Sequence, residues 1–585
     1  MKIDEKDTAI KSYFLGPQSE NAEWAQKEIS RIFSHWFEWR KSLFPEDGTP
    51  ISLTETKDKW FLDSRERLSK TLSNLISMYQ RETPKFTPRY IGHMVSEVTL
   101  PSIFGHILNL LHNPNLASKE VSKVGSIMEK EAITALSEMV GYSANIGVGH
   151  FTSGGTLANF EALWRARYRL DHWLALGTYL KAAGLSDMSL FESAHRGWDD
   201  YDTTVSKFEI DEESLKQYSF VASCPWTASD EYEKTFGKKF KGPVILVPGN
   251  KHYSWQKGLS LLGLGDSSFW SIELNFDGKL CCKDLVCKIE KAKEEGRPIL
   301  MVVSVSGTTE MGVIDPVNTV QDILDSYKAK HNTHIWHHVD GAYGGFFCSL
   351  LGDTIKESLL DRTVIDSLDS IKRAESVTID PHKLGYVPYA CGAILLKDER
   401  CNRVSSFEAP YLLKQKDNKA WSTTLEGSRS SSGAAATWMN HKSIGFNPDG
   451  FGAILHKGIL AKKTIAEKLS KLDGCYIVDP CDTNVLCFCF AKEGEKTSVT
   501  NKRNFEIFES FMESKNFSVS KTRLNVSSYR NLILKFGKGW SAEIDSHDLY
   551  LIRLVLMNPF VITTQTNKKY IDEFIEEIEL ITRQH

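Results

Sequence analysis

Four short apolar, β-branched runs in the middle of this chain end in residues able to do chemistry. Val244–Val247 leads into Pro248-Gly249-Asn250-Lys251-His252-Tyr253-Ser254, and Ile299–Val305 into Ser306-Gly307-Thr308-Thr309. Ile335–Val339 leads into Asp340-Gly341-Ala342-Tyr343-Gly344-Gly345, and Val377–Ile379 into Asp380-Pro381-His382-Lys383. Such runs, alternating with helical patterns, read as buried strands of a mostly parallel sheet. In open sheets of this kind ligands bind beyond the carboxyl ends of the strands. One edge of one sheet thus receives a histidine, a threonine pair, an aspartate and a lysine. A lysine amine adds to a carbonyl as a nucleophile, a carboxylate keeps a ring nitrogen protonated, and a flat imidazole covers a ring face. Singly, each residue has a plainer reading: Asp340 a turn cap, Lys383 a solvated lysine, His252 a structural histidine, Thr308 a turn threonine. Their arrival at successive strand ends is what points to chemistry.

That set matches the needs of pyridoxal 5′-phosphate (PLP): an imine-forming amine, a carboxylate at the pyridine nitrogen, a contact on each ring face and a cup of amides for the phosphate. Lys383 is the amine, in a turn stiffened by Pro381. Desolvation or a neighbouring cation would lower its pKa and make it a usable nucleophile. Asp340 is the carboxylate. Position i+2 of a strand faces the same side, so Ala342 lies beside it against the ring. His252 stacks on the other face and is a candidate proton handler. Thr308 is placed to bond the phenolic oxygen of the cofactor. His382 either contacts the phosphate or carboxylate, or simply packs. The phosphate cup is Thr152-Ser153-Gly154-Gly155-Thr156, opening a helical pattern from Leu157 to about Leu180. Gly154, Gly155 and Thr156 leave free N–H groups where the helix dipole favours an anion. Glu426-Gly427-Ser428-Arg429-Ser430 is a second phosphate cluster, through Ser428, or an exposed loop.

The elements that must position these groups follow from periodicity. Helices are expected at Asp284–Glu295 and Val317–Lys330, and a further strand at Ala393–Leu396. After residue 416 a smaller α+β unit is expected, with strands at Cys475–Val478, Val485–Phe490 and Leu532–Phe536 and helices at Arg503–Glu513 and Tyr570–Arg583. The first eighty residues read as helical, with Trp24, Ile29, Ile32, Phe33, Trp36 and Phe37 forming an apolar stripe. Such a stripe must be covered by the rest of the chain or by a second subunit. Residues 185–240 read as a polar, irregular insertion. At 585 residues the chain exceeds one core. The division expected is a helical segment over 1–95, a large domain over 96–415 and a small domain over 416–585.

Composition narrows the function class. A net charge of −4 gives no reason to expect nucleic acid as a partner, and no apolar run approaches a bilayer's thickness. The eleven cysteines form no C-x-x-C pair, so reduced thiols in a cytoplasmic protein are expected rather than a disulfide framework. His331, His334, His337 and His338 have no matching ligand spacing, and no metal is expected. No P-loop, G-x-G-x-x-G or G-x-S-x-G occurs at a fitting position.

Gly-Gly-Thr, then His252, Asp-x-Ala and His-Lys resemble, in that order, the group II PLP-dependent decarboxylases of PLP fold type I (aspartate-aminotransferase-like). Thr87-Pro88-Arg89-Tyr90-Ile91-Gly92-His93-Met94, Lys251-His252-Tyr253-Ser254-Trp255, Asp380 through Tyr389 and Leu425-Glu426-Gly427-Ser428 are similar to bacterial tyrosine decarboxylases. The likeness spans roughly residues 85 to 440. It implies that Lys383 carries the cofactor, Asp340 pairs with its ring nitrogen and His252 stacks on the ring. It implies that Tyr389, six residues past the lysine, protonates the intermediate, and that His93 lies near the substrate. It also implies a homodimer with shared active sites. Gly341 departs from the alanine common in relatives and leaves the i+2 geometry unchanged. The expected activity is decarboxylation of tyrosine or a related aromatic amino acid. The alternatives are an acidic substrate (glutamate or aspartate), a PLP-dependent carbon–carbon lyase or aminotransferase, and a non-catalytic PLP-binding scaffold.

Overall fold

The computed structural model describes residues 3–143, 148–352, 360–403, 420–563 and 566–585. Among the described residues five α-helices precede the first strand: α1 (Ile3–Ser12), α2 (Ala22–Leu43), α3 (Lys59–Tyr79), α4 (Leu100–His112) and α5 (Lys123–Met139). α2 buries only Ala25 and α3 buries nothing, although both carry large apolar side chains. α4 instead packs closely on the helix Ser432–Ser443, where a Cβ on Gly105 would lie 2.8 Å from the Ala435 carbonyl oxygen.

The main sheet has seven strands: β1 (Val148–Thr152), β2 (Val244–Pro248), β3 (Phe269–Ile272), β4 (Ile299–Val305), β5 (His337–Asp340), β6 (Ser376–Ile379) and β7 (Gly392–Leu396). Their order is β1-β7-β6-β5-β4-β2-β3. The block from β3 to β6 is parallel, and β7 runs antiparallel to both β6 and β1. β2, β4, β5 and β6 are buried throughout, as strands covered on both faces must be.

β5 starts at His337 rather than Ile335 and includes Asp340, which therefore sits in the ladder opposite Val305 and Thr378. Two consecutive histidines are tolerated in this core strand because each has partners. His337 contacts Gln321 and Ser304, and His338 contacts Ser376 and Thr378. Burial pushes both imidazoles down to about 3, so they are neutral.

The helix after β1, α6 (Gly155–Ala182), lies against the sheet through the fully buried Ala158, Ala162 and Ala166. Residues 185–240 are not irregular. They form four short helices, Leu190–Ser193, Trp198–Lys207, Glu212–Lys216 and Pro225–Phe236, which with the turn at Phe220 place Leu215, Phe220, Ala228 and Tyr232 in the core around α6. Caps rather than periodicity mark them, as in the Ser189/Glu192 capping box and the Asp211 cap.

A second sheet contains β8 (Cys475–Ile477), β9 (Val485–Phe490), β10 (Ser520–Asn525) and β11 (Asp548–Val555), in the order β10-β11-β9-β8, all antiparallel. The strand expected at Leu532–Phe536 is part of the helix Val526–Gly537, capped by Asn525 onto the Ser527 amide. Its buried residues Tyr529, Leu532 and Ile533 recur at helical spacing. The boundary expected at 415/416 lies outside the described residues.

Candidate active site

The parallel block delivers its strand ends to a cavity of about 410 Å³. Gly154, Gly155, Thr156, His252, Asp340, Ala342, His382 and Lys383 all line it, so eight residues scattered over 230 positions converge as their spacing predicts.

One wall is the N-terminus of α6. No side chain caps that helix, so its first amides and its positive dipole end face the cavity. The floor requires glycine: a Cβ on Gly155 would lie 2.8 Å from Asp380 Oδ2 and 3.1 Å from Ala342 Cβ, and one on Gly392 would lie 2.5 Å from the Gly154 backbone. Beside this cradle stands His382, whose Nδ1 is buried without a partner among the described residues. Burial holds its imidazole below the usual range.

The opposite end is built around Asp340. Its Oδ2 accepts from Asn159 Nδ2 at 2.9 Å and from Trp255 Nε1 at 3.1 Å. Asn159 is itself oriented, because its Oδ1 accepts from the Thr378 hydroxyl at 2.7 Å. Asp340 Oδ1 has only a long contact, 3.4 Å, from the Ala342 amide. His252, half-buried, holds its Nδ1 against the Ser254 hydroxyl at 3.0 Å, and burial lowers its pKa against the pull of Asp340.

Lys383 corrects an expectation. Its pKa is raised, not lowered. Burial alone would lower it, but Asp380 Oδ2 lies 3.0 Å from Nζ and outweighs that penalty, with Asp340 and Tyr389 adding to the effect. The neighbours are anions rather than cations.

Thr308 does not line the cavity. Its hydroxyl accepts from the Val313 amide at 3.2 Å within its own turn, and the wall there is Gly307 and Thr309. Ser428 does not reach it either: it is exposed and accepts from Asn115 Nδ2 at 3.0 Å. Of that cluster, Glu426 approaches the cavity, by way of the Ser153 amide. Tyr389 is 61% exposed, with its ring 4.2 Å from that of His382. His93 does not line the cavity; Arg553 Nη2 donates to its Nδ1 at 3.3 Å, and Arg553 also donates to the carbonyl of Thr309, which does line it. Asp380, Asn159, Asn250 and Arg553 carry no role in the sequence reading. Asp380 was within sight in the motif Asp-Pro-His-Lys; the others have no local signal.

Residues 231–492 match the pyridoxal-dependent decarboxylase conserved domain. The chain carries a pyridoxal-dependent decarboxylase domain. It is 27% identical to an L-tyrosine decarboxylase of Enterococcus faecium over 98% of both chains. It is also 27% identical to an aspartate 1-decarboxylase of Aliivibrio fischeri, over 86% of this chain and 85% of that one. The fold matches the crystal structure of mouse CSAD with a TM-score of 0.63 at 20% identity, over 95% of this chain and 99% of that one.

The decarboxylase domain uses PLP, and the cavity fits it. The glycine cradle at α6 and the unpartnered His382 Nδ1 suit a phosphate, and Asp340 keeps one oxygen lightly engaged for a protonated ring nitrogen. When bound, PLP supplies an electron-accepting ring for the pair left behind by departing CO2. The enzyme is a PLP-dependent carboxy-lyase acting on an amino acid.

Proposed function

We propose that this carboxy-lyase acts on an L-amino acid with a neutral aromatic side chain, tyrosine first, releasing CO2 and tyramine. The observation that carries the reading is the charge of the cavity wall. Among the described residues lining it, Lys383 is the one Lys or Arg, while Phe160, Tyr253 and Tyr343 supply aromatic surface. Arg553, the nearby candidate for a second carboxylate, already spends three of its five N–H donors on Ser520, Thr309 and His93. The E. faecium relative supports the same choice, and the A. fischeri relative keeps an acidic substrate as the competing reading.

In this reading Lys383 would hold the cofactor through its amine, Asp340 would keep its ring nitrogen protonated and His252 would pack against its ring. The amides of Gly154, Gly155 and Thr156, with His382, bind its phosphate. Tyr389 hands a proton to Cα after CO2 departs, and His93, fixed by Arg553, stands on the substrate side. Residues 1–95, 96–415 and 416–585 serve as dimerisation, cofactor and small domains.

The working unit is a homodimer. α2 and α3 leave Trp24, Trp60, Leu68 and Leu72 about half exposed or more, an apolar surface of the kind a second subunit covers. Eleven free thiols suit the cytoplasm, and among the described residues no helix is long and apolar enough to cross a membrane.

The test is an end-point assay on the PLP-loaded protein with tyrosine, phenylalanine, dihydroxyphenylalanine, glutamate and aspartate offered separately, the amine being scored by mass spectrometry. Tyramine that vanishes in Lys383→Ala is the expected result. Amine from an acidic substrate alone overturns the substrate, and no amine from any with cofactor bound favours lyase or aminotransferase chemistry.

A further inference from the structure

Asn250 follows β2, lines the cavity and is 3% exposed. Its amide orientation is fixed chemically. Nδ2 lies 2.8 Å from the Gly278 carbonyl oxygen, which only accepts, so the nitrogen must point there. Gly278 is in turn held: its φ is +69°, and a Cβ there would lie 2.7 Å from Met311 Cε. The amide cannot flip without losing that bond. Oδ1 is thereby left as an acceptor, buried and without a partner among the described residues. Buried acceptors are nearly always paired, and leaving one unpaired is unfavourable.

Among the described residues lining the cavity, the one Lys or Arg is Lys383, which is paired with Asp380. The neighbouring Lys251 places Nζ over the Phe269 ring at 5.2 Å and does not line the cavity. An acceptor of this kind repels a carboxylate, gains nothing from a phenyl ring and is satisfied by a hydroxyl or ring N–H.

We propose that Asn250 is a specificity-determining residue whose Oδ1 accepts a hydrogen bond from the donor at the far end of the substrate's aromatic side chain, the phenolic hydroxyl in the case of tyrosine. This rests on the aromatic reading of the cavity above. A site that bonds a substrate hydroxyl discriminates against the analogue lacking it by on the order of 100-fold or more.

The experiment measures kcat/KM for tyrosine and phenylalanine with the PLP-loaded full chain. The expected preference of the unaltered enzyme for tyrosine is about 100-fold or more. Asn250→Leu and Asn250→Ala should collapse that ratio at least about tenfold, through loss on tyrosine alone. Asn250→Asp keeps the acceptor oxygen while giving up the bond to Gly278, and should retain the ratio within a factor of about three. Melting curves and bound-cofactor absorbance show which variants fold, and two acceptor-deleting variants guard against one that does not. A ratio unchanged in Asn250→Leu or Asn250→Ala, or lost equally in Asn250→Asp, overturns the role of Asn250 and leaves the aromatic reading intact. Failure of the unaltered enzyme to produce any aromatic amine is visible before a variant is made, and it overturns the aromatic reading itself.

Discussion

The side-chain amide of Asn159 donates to Oδ2 of Asp340 at 2.9 Å, from the first turns of α6 onto the last residue of β5. With Trp255 on the same oxygen, it fixes the carboxylate proposed to pair with the ring nitrogen. Asn159→Ala removes one bond to a charged group, worth about 1.5–3 kcal/mol. Cofactor affinity is expected to fall roughly tenfold or more, and the absorbance spectrum of bound cofactor to change. A merely structural Asn159 would lower the melting temperature and leave that spectrum as it was.

Asp380 and Lys383 make the opposite kind of pair, one that opposes reaction. Only a neutral amine adds to an aldehyde, and Asp380 raises the Lys383 pKa against its burial. A raised pKa keeps the ammonium charged to higher pH, so cofactor loading should accelerate as pH rises. Asp380→Asn removes the pair, lowers the amine pKa and moves the whole loading profile to lower pH. Absorbance-monitored loading between about pH 7 and 10, spanning the ordinary lysine range, checks this, and an unmoved or upward-shifted profile refutes it.

The strand ends were readable because parallel strands buried on both faces write themselves as apolar runs, and the residue after each run must sit at one edge of the sheet. Thr308 shows where that logic stops. A turn of a few residues with Gly307 and Gly312 at positive φ decides whether Thr308 or Thr309 faces inward, and the threonine pair itself gives no hint. Asn159 and Asn250 lie one turn into a helix and inside a loop, where polar residues usually mean solvent, and only the fold shows them buried. Leu532–Phe536 misled because a short apolar run has no period of its own. Tyr529, three and four residues before Leu532 and Ile533 and outside that run, had to be included to see the helix.

Gly155 tests the phosphate cradle directly. Gly155→Ala puts a methyl 2.8 Å from Asp380 Oδ2 and 3.1 Å from Ala342 Cβ. Overpacking of this kind costs about 1–3 kcal/mol, and here it falls on the cofactor's seat. PLP affinity, measured by equilibrium titration, is expected to drop about tenfold.

The proposed dimer surface can be tested without touching the fold. α3 buries none of its residues, and Leu68 and Leu72 are 68% and 55% exposed, one helical turn apart. Leu68→Glu with Leu72→Glu should leave the circular dichroism unchanged and yield a monomer by sedimentation velocity. A dimer that survives both charges would place the contact elsewhere.

Tyr389 separates binding from chemistry. Its ring lies against His382 at 4.2 Å while most of the side chain remains in solvent, so its hydroxyl does little for stability. Partial desolvation where the ring lies against its neighbours raises its pKa, tempered by Lys383, and the phenol is protonated at neutral pH and fit to donate. Positioned proton transfer contributes roughly 10²–10⁴ in rate. Tyr389→Phe should therefore lower kcat for amine release by about that factor, with cofactor affinity and melting temperature unchanged and KM altered little. Equal losses in kcat and in cofactor affinity would instead make Tyr389 a support for His382 rather than the proton donor.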